Sequence, residues 1–145
     1  MKVPREILAI DVGSGTQDIL LYQEGMPMEN CVQMVLPSPT RIIARKIYKA
    51  TASRKNIFLT GNTMGGGPCS FAVEKHIQAG LKVYATEPAA LTSHDNLDEV
   101  RRRGVQITSR PPKGTYSIHL SDVDRVSLRK ALGLFQVTLP QPHAI

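Results

Sequence analysis

Asp11, Gly13, Ser14, Gly15, Thr16 and Asp18 stand within one short stretch, ILAIDVGSGTQDILLYQ over 7–23. A carboxylate at the end of an apolar run is costly unless it is exposed, paired or bound to a cation. Gly-Ser-Gly-Thr supplies consecutive backbone N–H groups with little side-chain bulk, the composition of a concave anion nest. Together they suit a phosphate at Gly13, Ser14, Gly15 and Thr16, with a divalent metal at Asp11 and Asp18. The same residues also suit a small, polar hairpin tip with no ligand at all.

A second glycine segment, GNTMGGGP over 61–68, follows the apolar run NIFLT and precedes a helical pattern. The start of a helix offers free N–H groups to an anion, so Gly65, Gly66 and Gly67 are candidate phosphate contacts. Gly is equally the default residue of tight connections. Glu87, after KVYAT, reaches the same sheet edge if those strands are parallel, as a base, a metal ligand or a plain turn carboxylate. Cys69, at a helix start, is either a thiolate of enhanced character or a small buried residue. None of the four histidines has the spacing of a zinc centre. His76 falls near the buried side of its helix.

Two familiar glycine motifs do not fit the first stretch. No Gly-Lys-Ser/Thr follows, as a Walker A loop needs, and Asp18 stands where a dinucleotide fingerprint has its last glycine. That fingerprint also needs a helix directly after the glycines, whereas TQDILLYQ reads as a strand.

The elements that must position these residues follow from periodicity. Runs 7–10, 18–22 and 31–36 read as three short strands in an antiparallel meander. From Thr40 to Lys55, Ile43, Ile47 and Ala50 form one stripe and Arg41, Arg45 and Lys49 another, which predicts an amphipathic helix. Then come a strand over 56–60, a helix over 71–81 with Val73, Ile77 and Leu81 inward, and a strand over 82–86. Asp95 is the expected cap of a helix carrying Asp98, Glu99 and Arg101–Arg103. Strands follow at 105–108 and 116–120. Ser121 is the expected cap of a last helix, with Asp124 as its capping-box acid. Helices alternating with strands predict an α/β fold: a mixed sheet with helices on both faces.

The 145 residues carry a net charge of +6. Six Lys/Arg and no acid lie in 41–60, and eight Lys/Arg against two Asp in 101–145. Such charge attracts nucleic acid or acidic partners, but the aromatic interleaving of a single-strand binder is missing. No run is long and apolar enough to span a membrane. MKVPRE lacks the apolar stretch of a secretory signal. Two cysteines, Cys31 and Cys69, suggest neither a disulfide framework nor a zinc site. A cytoplasmic protein is expected.

Strand, Asp-x-Gly-Ser-Gly-Thr, strand resembles the first phosphate motif of the actin, sugar-kinase and heat-shock chaperone superfamily (ASKHA). The resemblance extends in pattern over 5–135, though about ten residues carry its specificity. It implies an actin-like, ribonuclease H-like βββαβαβα domain binding ATP and Mg2+, with Asp11 serving the metal. IDVGSGTQDILLY, TGNTMGGGP, YATEPAALTSHDNL and HLSDVDRVSLRKAL also resemble an uncharacterised prokaryotic family with an actin-like fold. Its members are often labelled pyruvate formate-lyase activating enzyme. That label implies radical chemistry on an iron–sulfur cluster held by three closely spaced cysteines. With Cys31 and Cys69 alone, such a cluster is not expected.

An ATPase of this superfamily closes two related domains over its nucleotide, and no second Asp-x-Gly-Ser/Thr hairpin follows Thr16. The expectation is one domain over 1–139, with 140–145 starting a linker to a missing second domain. Function is then a nucleotide-phosphate-binding half-domain of an actin-like ATPase or kinase-like protein, inactive alone. The alternative is a non-enzymatic interaction module using its basic helices to hold nucleic acid or an acidic partner. The nuclease variant of the fold would need more carboxylates than Asp11 and Asp18.

Overall fold

A computed structural model describes residues 5–140. The MKVP start and, from 141 onward, the expected linker lie outside the described residues. Seven strands and five α-helices form an α/β fold, as the alternation of periods predicts. Strands β1 (Glu6–Val12), β2 (Thr16–Gln23) and β3 (Val32–Pro37) make an antiparallel sheet in the order β1-β2-β3. Strands β4 (Ile57–Gly61), β5 (Val83–Ala85), β6 (Val105–Ile107) and β7 (Tyr116–Leu120) make a second sheet, all parallel, in the order β6-β5-β4-β7. The strands expected in one mixed sheet thus form two hydrogen-bonded sheets.

Each sheet has its own core. On the first, Ile10 pairs with Ile19 and Leu8 with Leu21, so strand alternation places these residues on one face. That face meets Leu128 and Leu132 of α5 (Arg125–Gly133), together with Leu139. The opposite face carries Ala9, Asp11, Asp18, Leu20 and Val35, and Val35 is 67% exposed. No helix contributes to a core there among the described residues, unlike the covering on both faces expected from sequence.

The larger core gathers Ile57 and Leu59, Val83 and Ala85, and Ile118 and Leu120 from the parallel sheet. Against them pack α1 (Pro39–Ala52), α2 (Gly67–Gln78), α3 (Glu87–Leu91) and α4 (Leu97–Arg102). Ile43, Ile47 and Ala50 of α1 are buried, as their spacing predicts.

Several boundaries differ from the periodic reading. Helix α2 begins at Gly67 rather than Phe71, because Pro68 sits in its first turn, where a missing N–H does no harm. Its buried residues are Cys69, Ala72 and His76, with Val73 and Ile77 half-buried, so the inward face is turned about one residue. The turn expected at Glu87-Pro88 is the start of a short helix, again with proline in the first turn. Asn96 caps α4 in place of Asp95, its side chain accepting from the Asp98 amide. Asp124, not Ser121, caps α5: its carboxylate accepts from the Ser127 amide and hydroxyl, which holds its carboxyl below the ordinary value.

His76 is fully buried between α1 and α2. Thr51 Oγ1 lies 2.8 Å from the Ile47 carbonyl oxygen and 2.7 Å from His76 Nδ1, within hydrogen-bond reach of both. Either neutral tautomer satisfies the Nδ1 contact, and Nε2 makes no well-aligned hydrogen bond among the described residues. Burial pushes the imidazole below its ordinary 6.5, with the Lys82 backbone offsetting part of the effect. The unfolded chain then takes up a proton more readily than the folded one. Stability contributed by the neutral ring is complete above pH 6.5 and is lost as pH falls below it. We predict that the melting temperature falls between pH 7.5 and 5.5, by calorimetry, and that His76→Gln flattens this dependence.

Candidate functional site

The two glycine segments, 13–16 and 61–68, meet at the first turn of α1. Ser38, fully buried, is its N-cap. The Ser38 hydroxyl donates to the Ser14 carbonyl at 2.8 Å and accepts from the Arg41 amide at 3.3 Å. Its backbone N–H donates to the Gly15 carbonyl at 3.1 Å. Arg41, exposed on the same turn, reaches that carbonyl through Nη1 at 3.4 Å. The hairpin tip is thus held by its carbonyls against the start of the helix. Gly13 N–H is engaged by the Thr16 carbonyl of its own hairpin at 2.9 Å. Those of Ser14 and Gly15 make no such bond among the described residues.

Two residues after Ser38, Thr40 does the same for the second segment. Its hydroxyl donates to the Gly66 carbonyl at 3.1 Å and accepts from the Cys69 amide at 3.0 Å. Gly66, the N-cap of α2, has no side chain to cap it. A threonine from a neighbouring helix therefore satisfies an N-terminal donor of α2. The rest of the segment is held by other elements. Thr63 N–H donates to the Thr92 hydroxyl and Gly65 N–H to the Thr63 hydroxyl. Met64 N–H donates to both carboxylate oxygens of Asp122, at 3.0 and 3.1 Å. Gly65, with φ near +80°, has no room for a Cβ against the Thr92 carbonyl. Of the three predicted glycines, Gly65 thus has its amide engaged by the protein. Gly66 and Gly67 keep theirs free among the described residues, beside open space.

Asp11 and Asp18 are direct partners across β1 and β2. Both are exposed, and neither makes an ion pair or side-chain hydrogen bond among the described residues. They line a shallow depression of about 460 Å3 on the uncovered face of the sheet, with Ala9, Leu20, Gln33 and Val35. Like charges directly opposite repel, and a divalent cation between them would relieve this. Two carboxylates suit Mg2+, which keeps most of its coordination for water and phosphate. No group of three or more His, Cys, Asp or Glu able to hold a metal occurs among the described residues.

Glu87 lies in the first turn of α3, after β5, at the carboxyl edge shared with the second glycine segment. Cys69 is buried, and desolvation pushes its thiol up to about 11, so it has no enhanced thiolate character. Cys31 is buried as well, its thiol donating to the Pro27 carbonyl. The Arg101–Arg103 cluster is paired within α4, to Asp98 and Glu99.

Sequence reasoning passed over Ser38, Thr40, Arg41, Asp122 and His119 as site residues. HLSD, directly after an apolar strand pattern, was the available signal for the last two. Once β7 is seen to run parallel beside β4, these residues fall at the carboxyl edge next to GNTMGGGP.

A family model described as "Putative pyruvate format-lyase activating enzyme (DUF1786)" matches residues 64–145, more than half of the chain. The chain belongs to this family. The DUF1786 match takes in the second glycine segment from Met64, together with His119 and Asp122. No curated protein and no solved structure matches the chain. The activity in the DUF1786 description is not one this chain's thiols fit: two isolated, buried cysteines do not make a three-cysteine cluster motif.

Two outcomes check this geometry. Thr40→Val leaves the Cys69 amide without an acceptor and should cost about 1–3 kcal/mol in a denaturant titration. Cys69 should resist iodoacetamide in the native protein at pH 8, where on the order of one thiol in a thousand is ionised, and react once guanidinium unfolds the chain.

Proposed function

We propose that this chain binds the phosphate groups of a nucleotide, as the phosphate-binding half of an actin-like ATPase or kinase-like site. One observation carries the reading: both glycine segments are tied to the same helical turn, through Ser38 and Thr40. Around that turn stand the amides of Ser14, Gly15, Gly66 and Gly67, which make no hydrogen bond among the described residues, and the guanidinium of Arg41. Backbone amides and a guanidinium are the donors phosphoryl oxygens need. Asp11 and Asp18 would hold Mg2+, which neutralises phosphate charge. The actin-like assignment is supported by the three antiparallel strands leading into α1 and by the Asp-x-Gly-Ser-Gly-Thr hairpin. Hydrolysis and transfer both need water controlled around the terminal phosphate. Gly15 and Gly66 lie exposed, so the expected behaviour is binding without turnover.

A second reading is favoured by one feature. Arg41, Arg45, Lys46 and Lys49 are exposed on α1 without an acidic partner on that helix. Lys46 feels the Asp124 carboxylate. Such a row would suit nucleic acid or an acidic protein.

Calorimetric titration with Mg-ATP and Mg-ADP separates the two. Saturable binding is expected, weakened about tenfold by Arg41→Ala and made insensitive to Mg2+ by Asp11→Ala. If no nucleotide binds saturably, and polynucleotide binding falls steeply with salt instead, the second reading replaces the first.

A further inference from the structure

Helix α5 ends on two large apolar side chains that no described part of the chain covers. Leu134 is 84% exposed and Phe135 79%, the highest values among the large apolar residues described. The segment carrying them is not loose. The amides of Leu134, Phe135, Gln136 and Val137 donate to the carbonyls of Lys130, Leu132, Gly133 and Leu132. Gln136 takes φ near +59°, a left-handed conformation unfavourable for a residue with a side chain. Leu132 before the turn and Leu139 after it are buried in the core of the antiparallel sheet. Arg125 fixes the returning chain, donating from Nη2 to the Pro140 carbonyl at 3.0 Å. The fold therefore pins a turn that holds a leucine and a phenylalanine in water, an arrangement that packing within the chain does not explain.

The surroundings are basic. Val126, Arg129, Lys130 and Leu134 recur at helical spacing on the side of α5 away from Leu128 and Leu132, and all four are exposed. Arg129 and Lys130 make no ion pair among the described residues. Residues 123–140 contain one acid, Asp124, at the other end of the helix. Its carboxylate is engaged by Ser127 and faces Lys46 of α1. A second copy of the chain does not suit this face, since a two-fold contact would set Arg129 and Lys130 against themselves. The surface over Arg129, Lys130 and Gly133 is shallow and open, so it offers a folded partner no cleft. A lipid headgroup layer needs none: apolar side chains enter it, while basic ones remain at its charged level.

We propose that the outer face of α5 docks on an anionic lipid surface, with Leu134 and Phe135 entering the acyl boundary and Arg129 and Lys130 meeting lipid phosphates. Two apolar side chains are a small anchor, and two cations add a screened attraction, so the contact needs both. It is peripheral, reversible and weakened by salt. No helix among the described residues is long and apolar enough to cross a membrane, and this contact requires none.

The chain contains no tryptophan, so Phe135→Trp places a single indole in the turn. The full chain is mixed with vesicles of phosphatidylcholine and phosphatidylserine, or of phosphatidylcholine alone, and read by co-sedimentation and indole emission. Phe135→Trp should sediment with the phosphatidylserine vesicles only, its emission moving to shorter wavelength. Phe135→Ser should weaken binding at least about tenfold. Arg129→Gln and Lys130→Gln together should weaken it about tenfold or more at low salt. Melting temperatures should stay close to that of the unaltered protein, because these side chains are exposed. Absence of sedimentation with phosphatidylserine vesicles would overturn the proposal. So would sedimentation that leaves the indole emission unmoved and survives Phe135→Ser, which would be adsorption through another basic surface. An indole that shifts with an acidic amphipathic peptide but not with vesicles would replace the lipid with a protein partner.

Discussion

The first turn of α1 holds the rest of the molecule's interesting chemistry in place. Ser38 and Thr40 are short hydroxyl side chains, one buried fully and the other nearly so. Each makes two hydrogen bonds, one to a glycine-containing segment and one to a helix N-terminal amide. A buried hydroxyl without partners is destabilising, and so is a buried helix amide without one. Each group satisfies the other. The antiparallel sheet and the parallel sheet have separate cores, so this turn is where they are joined through polar groups.

The division of labour between the two sheets follows from their hydrogen-bonding patterns. Antiparallel strands tolerate one face open to water, and here that face presents Asp11 and Asp18 opposite each other. Parallel strands require crossovers, and the crossovers bring their carboxyl ends to one edge. That edge collects the second glycine segment, Glu87, His119 and Asp122 from separate parts of the chain.

Much of this was readable from residue order. The alternation in ILAID and the 3.6-residue spacing of Ile43, Ile47 and Ala50 give the strands and α1 directly, because one face of each must meet a core. Asp11 through Asp18 stood out because a carboxylate and bare amides rarely coincide by packing need alone. Cap positions were less legible. Asp95, Asn96, Ser121 and Asp124 are all competent N-caps, and the choice among neighbours depends on where the chain turns toward the core. The inward face of α2 was misplaced by a residue because His76 pairs with Thr51, a polar contact that hydrophobic periodicity does not register.

The sequence by itself determined the elements, the hairpin with its two carboxylates, and the absence of a three-cysteine motif, because these depend on residues close together in the chain. Only the tertiary structure decided which amides stay free. Gly13 and Gly65 looked like their neighbours, yet a hairpin carbonyl and a threonine hydroxyl engage their N–H groups, leaving those of Ser14, Gly15, Gly66 and Gly67 unengaged among the described residues. It also decided that His119 would stand beside Thr60, 59 residues away, since parallel pairing sets partners by sheet order rather than by proximity in sequence. Periodicity says which face of an element turns inward; it carries no information about which elements become neighbours.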